Sequence, residues 1–74
     1  GSDRRLKENI REVGVDQRTA LTLYEFNYKA DPSKKYIGVM ADEVELVYPE
    51  AVTEKDGFKA VYYDMLGIEF KEVA

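Results

Sequence analysis

The stretch "ALTLYEFNYK", residues 20–29, sets Tyr24, Phe26 and Tyr28 two apart, with Glu25, Asn27 and Lys29 between them. Successive side chains along a strand point to opposite faces, so this spacing predicts a β-strand with one aromatic face. Such a face must be covered. In a chain of 74 residues the cover has to come from a few short elements around a small core.

The flanking segments supply candidates. "ADPSKK" places the turn formers Asp31, Pro32 and Ser33 directly after the aromatic run and predicts a turn there, and the apolar "YIGVM" after it predicts a second strand. From Met40 the period changes: Met40, Val44, Val47 and Tyr48 share one helical face, while Asp42, Glu43 and Glu45 take the other. This predicts an amphipathic helix at about residues 40–48, with acids in its first turn and Pro49 ending it. "AVTEKDGFKAVYY" reads as two β-rich runs about the hairpin signal Asp56-Gly57. The tail, residues 64–74, fits either a helix through Leu66, Phe70 and Val73 or a strand through Ile68 and Phe70, and Gly67 weakens the helix.

At the other end, Asp3 is placed to cap a helical turn with Leu6 and Ile10 on one face, and "NIREVGV" then looks extended and able to pair with the aromatic strand. The expected fold is α+β: a small, mostly antiparallel sheet with one amphipathic helix packed on it and a short N-terminal helical turn. No repeat or linker divides the sequence, so residues 1–74 read as a single domain.

Composition narrows the chemistry. Cysteine and histidine are both absent, which removes disulfides, the usual zinc sites and Ser-His-Asp triads. No cofactor and no metal are implied. A net charge of −4 argues against nucleic acid or an anionic membrane as partner, and no apolar run approaches the length of a membrane span. The basic cluster Arg4, Arg5, Lys7 and Arg11 and the acidic cluster Asp42, Glu43 and Glu45 both read as solvated faces. The aromatic strand reads as core or interface, with a carbohydrate platform as the alternative.

What remains for catalysis is carboxylate, lysine, tyrosine and hydroxyl. "SDRRLKENI", residues 2–10, offers a serine and, five positions on, a lysine. A serine hydroxyl needs a base, and Lys7 is the nearest one in sequence. A lysine serves as a base only when burial or neighbouring cations such as Arg4 and Arg5 depress its pKa. On a continuous helix Ser2 and Lys7 would stand well around the cylinder from each other, so a break after the first turn or pairing across subunits is required. Asn9 and backbone amides near Asp3 are candidates to support a developing oxyanion. The same residues also read as plain structure: Ser2 and Asp3 as helix caps, Lys7 as an exposed helix residue and Asn9 as the end of the turn.

Four stretches in order, "SDRRLKENI", "YEFNYK", "YIGVMADEVELVYPEAV" and "DGFKAVYYDMLG", resemble the intramolecular chaperone domain at the C-terminus of phage endosialidases, tail fibres and tailspikes. The resemblance implies a homotrimer that helps the upstream fibre domain of the same chain to wind into intertwined β-structure. It further implies single-turnover serine autoproteolysis: a cut at Gly1-Ser2, with Ser2 and Lys7 as the catalytic dyad and this chain as the released product. The implied location is the host cytoplasm during virion assembly. If Lys7 loses its water only in the trimer, cleavage would report correct assembly. Gly1-Ser2 is also the dipeptide that tag removal leaves, and under that reading the domain is a non-cleaving trimerisation module. A receptor-binding module at a fibre tip is the remaining alternative.

Overall fold

The computed structural model describes residues 1–73. After a 3₁₀ turn at Arg4–Leu6 come β1 (Lys7–Val15), β2 (Thr22–Tyr28), β3 (Asp31–Gly38), α1 (Ala41–Val47), a second 3₁₀ turn (Pro49–Ala51), β4 (Val52–Lys55), β5 (Phe58–Val61), α2 (Tyr63–Leu66) and β6 (Lys71–Val73). β1, β2, β3 and β6 form an antiparallel sheet in that order, and β4 and β5 form a separate hairpin. The architecture is the α+β arrangement expected, with α1 occupying the helix read at residues 40–48.

The aromatic strand is β2. Its inward face buries Tyr24 and Phe26 against Met40, with Ile10, Tyr28 and Tyr36 packed around them. A second cluster joins Leu21, Val39, Val44, Ala51, Leu66 and Ile68 beneath α1 and α2. Residues 39–41, between β3 and the first turn of α1, are buried and link the two clusters.

Three local expectations are corrected. The turn after β2 is not at Asp31-Pro32-Ser33; it is the two-residue turn Lys29-Ala30, and Asp31 already pairs with Tyr28. The turn-forming residues instead make a bulge, because the ladder jumps from Phe26↔Tyr36 to Tyr28↔Asp31. Pro32 is tolerated in a strand where pairing is interrupted. The Asn27 amide fills the gap, donating to Pro32 O at 3.2 Å and Lys34 O at 2.6 Å.

The second correction concerns Leu6 and Ile10, which share no helical face because the first turn stops at Leu6 and β1 begins at Lys7. The third concerns Val47. It is 60% exposed, since α1 is only seven residues long and turns Ala41 and Val44 to the core. The ambiguous tail uses both of its options in succession. α2 ends at Gly67, whose left-handed φ of 65° closes the helix, and the chain then extends into β6 against β3. The last residue of that tail lies outside the described residues.

Candidate functional site

Asp3 caps the first turn as its residue type predicts. It is extended (φ −69°, ψ 125°), and its Oδ1 accepts the Arg5 N–H at 3.0 Å. The same carboxylate receives the Arg5 guanidinium and, from β5, the Lys59 N–H at 2.9 Å. Arg5 holds the Asp3 carboxyl well below the usual carboxylate range, with the Lys59 amide assisting against the cost of burial. One turn later Lys7 takes extended geometry (φ −114°, ψ 153°). That is the break the Ser2–Lys7 spacing requires.

Ser2 is 1% exposed and held from both ends. Its carbonyl accepts the Ala41 N–H at 2.9 Å, supplying a partner to the start of α1, where Met40 offers no side-chain cap. Its Oγ lies 2.9 Å from the Tyr63 hydroxyl, and that hydroxyl accepts the Val39 N–H at 3.0 Å. Lys7 is 3% exposed; its Nζ donates to the Val39 carbonyl at 2.9 Å and stands 4.0 Å from the centroid of the Phe26 ring. Ser2 and Lys7 therefore meet at one residue, the first through Tyr63 to the Val39 N–H and the second directly to its C=O. Among the described residues no direct hydrogen bond joins Ser2 Oγ to Lys7 Nζ.

Burial, aided by the Arg4 guanidinium and opposed by Asp3 and Asp42, lowers the Lys7 pKa from 10.5 to about 7. A large share of Lys7 is then the free amine at neutral pH. Its desolvation is complete within a single chain, so trimer formation is not needed to dry it. Arg5, also named as a cause from the sequence, instead pairs with Asp3 and reaches the Gly57 carbonyl.

The two charged clusters read as solvated faces in fact meet. Arg4 spans to α1 and binds Asp42 at 2.9 Å and Glu43 at 3.0 Å, and Glu43 also accepts the Tyr24 hydroxyl at 2.6 Å. Lys59 pairs with Glu45 from the hairpin. Exposed pairs of this kind add little stability, so their main effect is to fix where the N-terminal segment lies.

Gly1 follows the same path. Its carbonyl oxygen accepts a hydrogen bond from the Tyr28 hydroxyl at 2.9 Å, beside an open cleft lined by Ser2, Ala60, Val61, Tyr63 and Phe70. Asn9 is placed elsewhere: it sits at a β1 irregularity with φ 54°, and its amide donates to Asn27 Oδ1 at 3.0 Å. The Asp3 carboxylate is fully occupied as an acceptor.

Sequence reasoning missed Tyr63 and Tyr28 as members of this site. Tyr63 is 61 positions from Ser2, and no local pattern marks it. The one signal is Gly38, where a Cβ would overlap the Tyr63 hydroxyl and crowd the Phe70 ring at 3.1 Å. Tyr28 is hidden by the period that reveals its strand, because its ring belongs to the aromatic face and only its hydroxyl reaches the site.

No curated protein and no solved structure matches the chain significantly. A family model described as the chaperone of endosialidase matches residues 2–53, a span that opens on Ser2 and runs through Lys7, the aromatic strand, Val39 and α1. On that match the chain belongs to the family of the chaperone of endosialidase.

Proposed function

We propose that this domain is an intramolecular chaperone that assembles as a homotrimer, guides the fibre domain upstream in the same chain, and is then severed at Gly1-Ser2 by its own Ser2 and Lys7. The observation that carries the reading is the buried Lys7, with a pKa near 7, bonded to the Val39 carbonyl while the buried Ser2 reaches the Val39 N–H through the Tyr63 hydroxyl. A buried lysine without a carboxylate partner is costly to keep, which favours a functional role for Lys7.

In the proposed reaction Ser2 Oγ bonds to the Gly1 carbonyl carbon while its proton passes to Lys7 Nζ. The carbonyl electron pair moves onto oxygen, and collapse expels the Ser2 nitrogen, which takes the proton back from Lys7. This leaves Gly1 as an ester on Ser2 Oγ. Water then opens the ester, releasing the Gly1 carboxyl and restoring the serine hydroxyl. The open cleft beside Gly1 gives that water access. One cut per molecule makes this a maturation step.

Assembly draws support from the surface. Leu46 is 85% exposed, and Val47, Tyr62 and Met65 are also largely uncovered, which suits contact with other copies of the chain. A terminal domain that trimerises first raises the local concentration of three chain ends and sets their register, which shortens the slow search for non-local β-pairing. Cleavage afterwards removes the template and leaves the fibre kinetically trapped. The reading places these events in the host cytoplasm during virion assembly.

The test is to express the domain behind its natural upstream segment as wild type, Ser2→Ala and Lys7→Ala, and to record mass and oligomeric state. A fragment beginning at Ser2 from the wild type alone, with both variants whole and trimeric, is the expected result. Three whole products that still trimerise would make the domain a non-cleaving assembly module.

A further inference from the structure

Self-cleavage at Gly1-Ser2 needs a donor for the oxygen of the scissile carbonyl, and in the structure neither Asn9 nor an amide near Asp3 hydrogen-bonds to it. Asn9 donates to Asn27, the Arg5 N–H to the Asp3 carboxylate and the Leu6 N–H to the Asp3 carbonyl. The Tyr63 hydroxyl is committed between Val39 N–H and Ser2 Oγ. Tyr28 is different, because its hydroxyl already donates to the Gly1 carbonyl oxygen at 2.9 Å. We propose that Tyr28 is a catalytic residue of the cleavage, the electrophilic donor that polarises the Gly1 carbonyl and stabilises the oxyanion formed when Ser2 attacks it. The proposal rests on the Ser2–Lys7 reading above.

Two further features suit Tyr28 to that role. First, it is held rigidly. Its ring meets Phe26 edge-on at 5.3 Å, lies 5.3 Å from Tyr36 and 6.4 Å from Phe70, and stands at the end of β2, beside the two-residue turn. A donor fixed before the reaction stabilises developing charge without reorganising, which is where such groups gain most of their effect. Second, burial and the neighbouring Tyr63 and Tyr36 hydroxyls push its own ionisation up to about 12. The phenol therefore keeps its proton throughout the range in which Lys7 becomes a free amine.

The division of labour is geometric. Tyr63 addresses the nucleophile, Lys7 is held at the Val39 carbonyl, and Tyr28 addresses the electrophile from β2. The sequence places all three on different elements, and only the docking of the N-terminal segment across β2, β3 and α2 brings Tyr63 and Tyr28 to one peptide bond while Lys7 is anchored at Val39.

The test uses the chain preceded by its natural upstream segment and compares Tyr28→Phe with wild type, Ser2→Ala and Lys7→Ala. Cleavage is followed by intact mass after refolding, across a pH series. Tyr28→Phe should slow cleavage by about 10²–10³-fold, the effect of removing one oxyanion donor, while its pH midpoint stays near that of the wild type. A Tyr28→Phe rate within about twofold of wild type while Ser2→Ala stays whole overturns the Tyr28 assignment and leaves the Ser2–Lys7 reading standing. A shifted pH midpoint with an unchanged plateau also overturns it, because Tyr28 would then act through Lys7. If Ser2→Ala is cut as fast as wild type, both fall together.

A readout independent of activity guards against misfolding. In the uncleavable Ser2→Ala background, with the Gly1 carbonyl labelled with carbon-13, Tyr28→Phe should move the labelled infrared band to higher frequency. An unmoved band means the hydrogen bond is absent in solution and the assignment is wrong.

Discussion

Replacing Lys7 with methionine should stabilise the fold at neutral pH and lose that advantage as the pH rises. Methionine keeps the length and flexibility of the lysine stem and removes the ionisable head. The unfolded chain holds the Lys7 proton up to 10.5, whereas the folded chain sheds it at about 7. Between those values the unfolded state binds more protons, so wild-type stability rises with pH across the window. At about 1.4 kcal/mol per unit, the gap corresponds to about 5 kcal/mol of penalty well below pH 7, falling to ~4 at pH 7 and ~2 at pH 9. Against this, Lys7→Met leaves the Val39 carbonyl without its partner, at a cost of about 1–2 kcal/mol. The variant should therefore be more stable than wild type by about 3 kcal/mol near pH 6, and the two should become nearly equal by about pH 9. Urea unfolding of both proteins, at matched concentration through that range, measures the difference directly. A difference that does not change with pH would refute the reasoning, since it would mean Lys7 titrates alike in both states.

Other consequences follow from the same contacts. Asp3→Ala removes the acceptor for two backbone amides and the Arg5 guanidinium, and should cost about 2–3 kcal/mol in urea unfolding. Because the Asp3 carboxyl is depressed in the fold, the stability it contributes in the wild type is present above the ordinary carboxylate pKa and lost on acidification below it; Asp3→Ala should flatten that acid limb. Gly38→Ala should push the Tyr63 hydroxyl off Ser2 and Val39, costing about 1–3 kcal/mol in thermal unfolding and slowing cleavage of the precursor more than its stability loss explains. Met40→Ala empties a fully buried site between the aromatic strand and α1 and should cost about 2–5 kcal/mol by the same assay.

Legibility in the sequence tracked how local each determinant was. The period of Tyr24, Phe26 and Tyr28 and the Met40–Val44 spacing marked β2 and α1 because strand and helix faces repeat over a few residues. Asp56-Gly57 marked the β4–β5 turn, where both residues take positive φ. The bulge at Asp31–Lys34 was not legible as such. Turn formers signal a departure from regular backbone, and only the tertiary role of Asn27 decides that here it is a bulge and not a reversal. The site divides the same way: Ser2, Asp3 and Lys7 lie within one short motif, whereas Tyr28, Val39 and Tyr63 join it across the fold. Arg4 and α1 were each visible, but their pairing depended on where the N-terminal segment docks.

The central claim is that Lys7, dried by its own chain, is the base for Ser2. The most direct measurement is the pH dependence of Gly1-Ser2 cleavage in the full precursor, unfolded and then returned to native conditions across a pH series. The account predicts a rate that climbs about tenfold per pH unit in acid and levels off just above pH 7, where Lys7 has become the free amine. A rate that keeps climbing to the ordinary lysine value of 10.5, or one indifferent to pH, would contradict it.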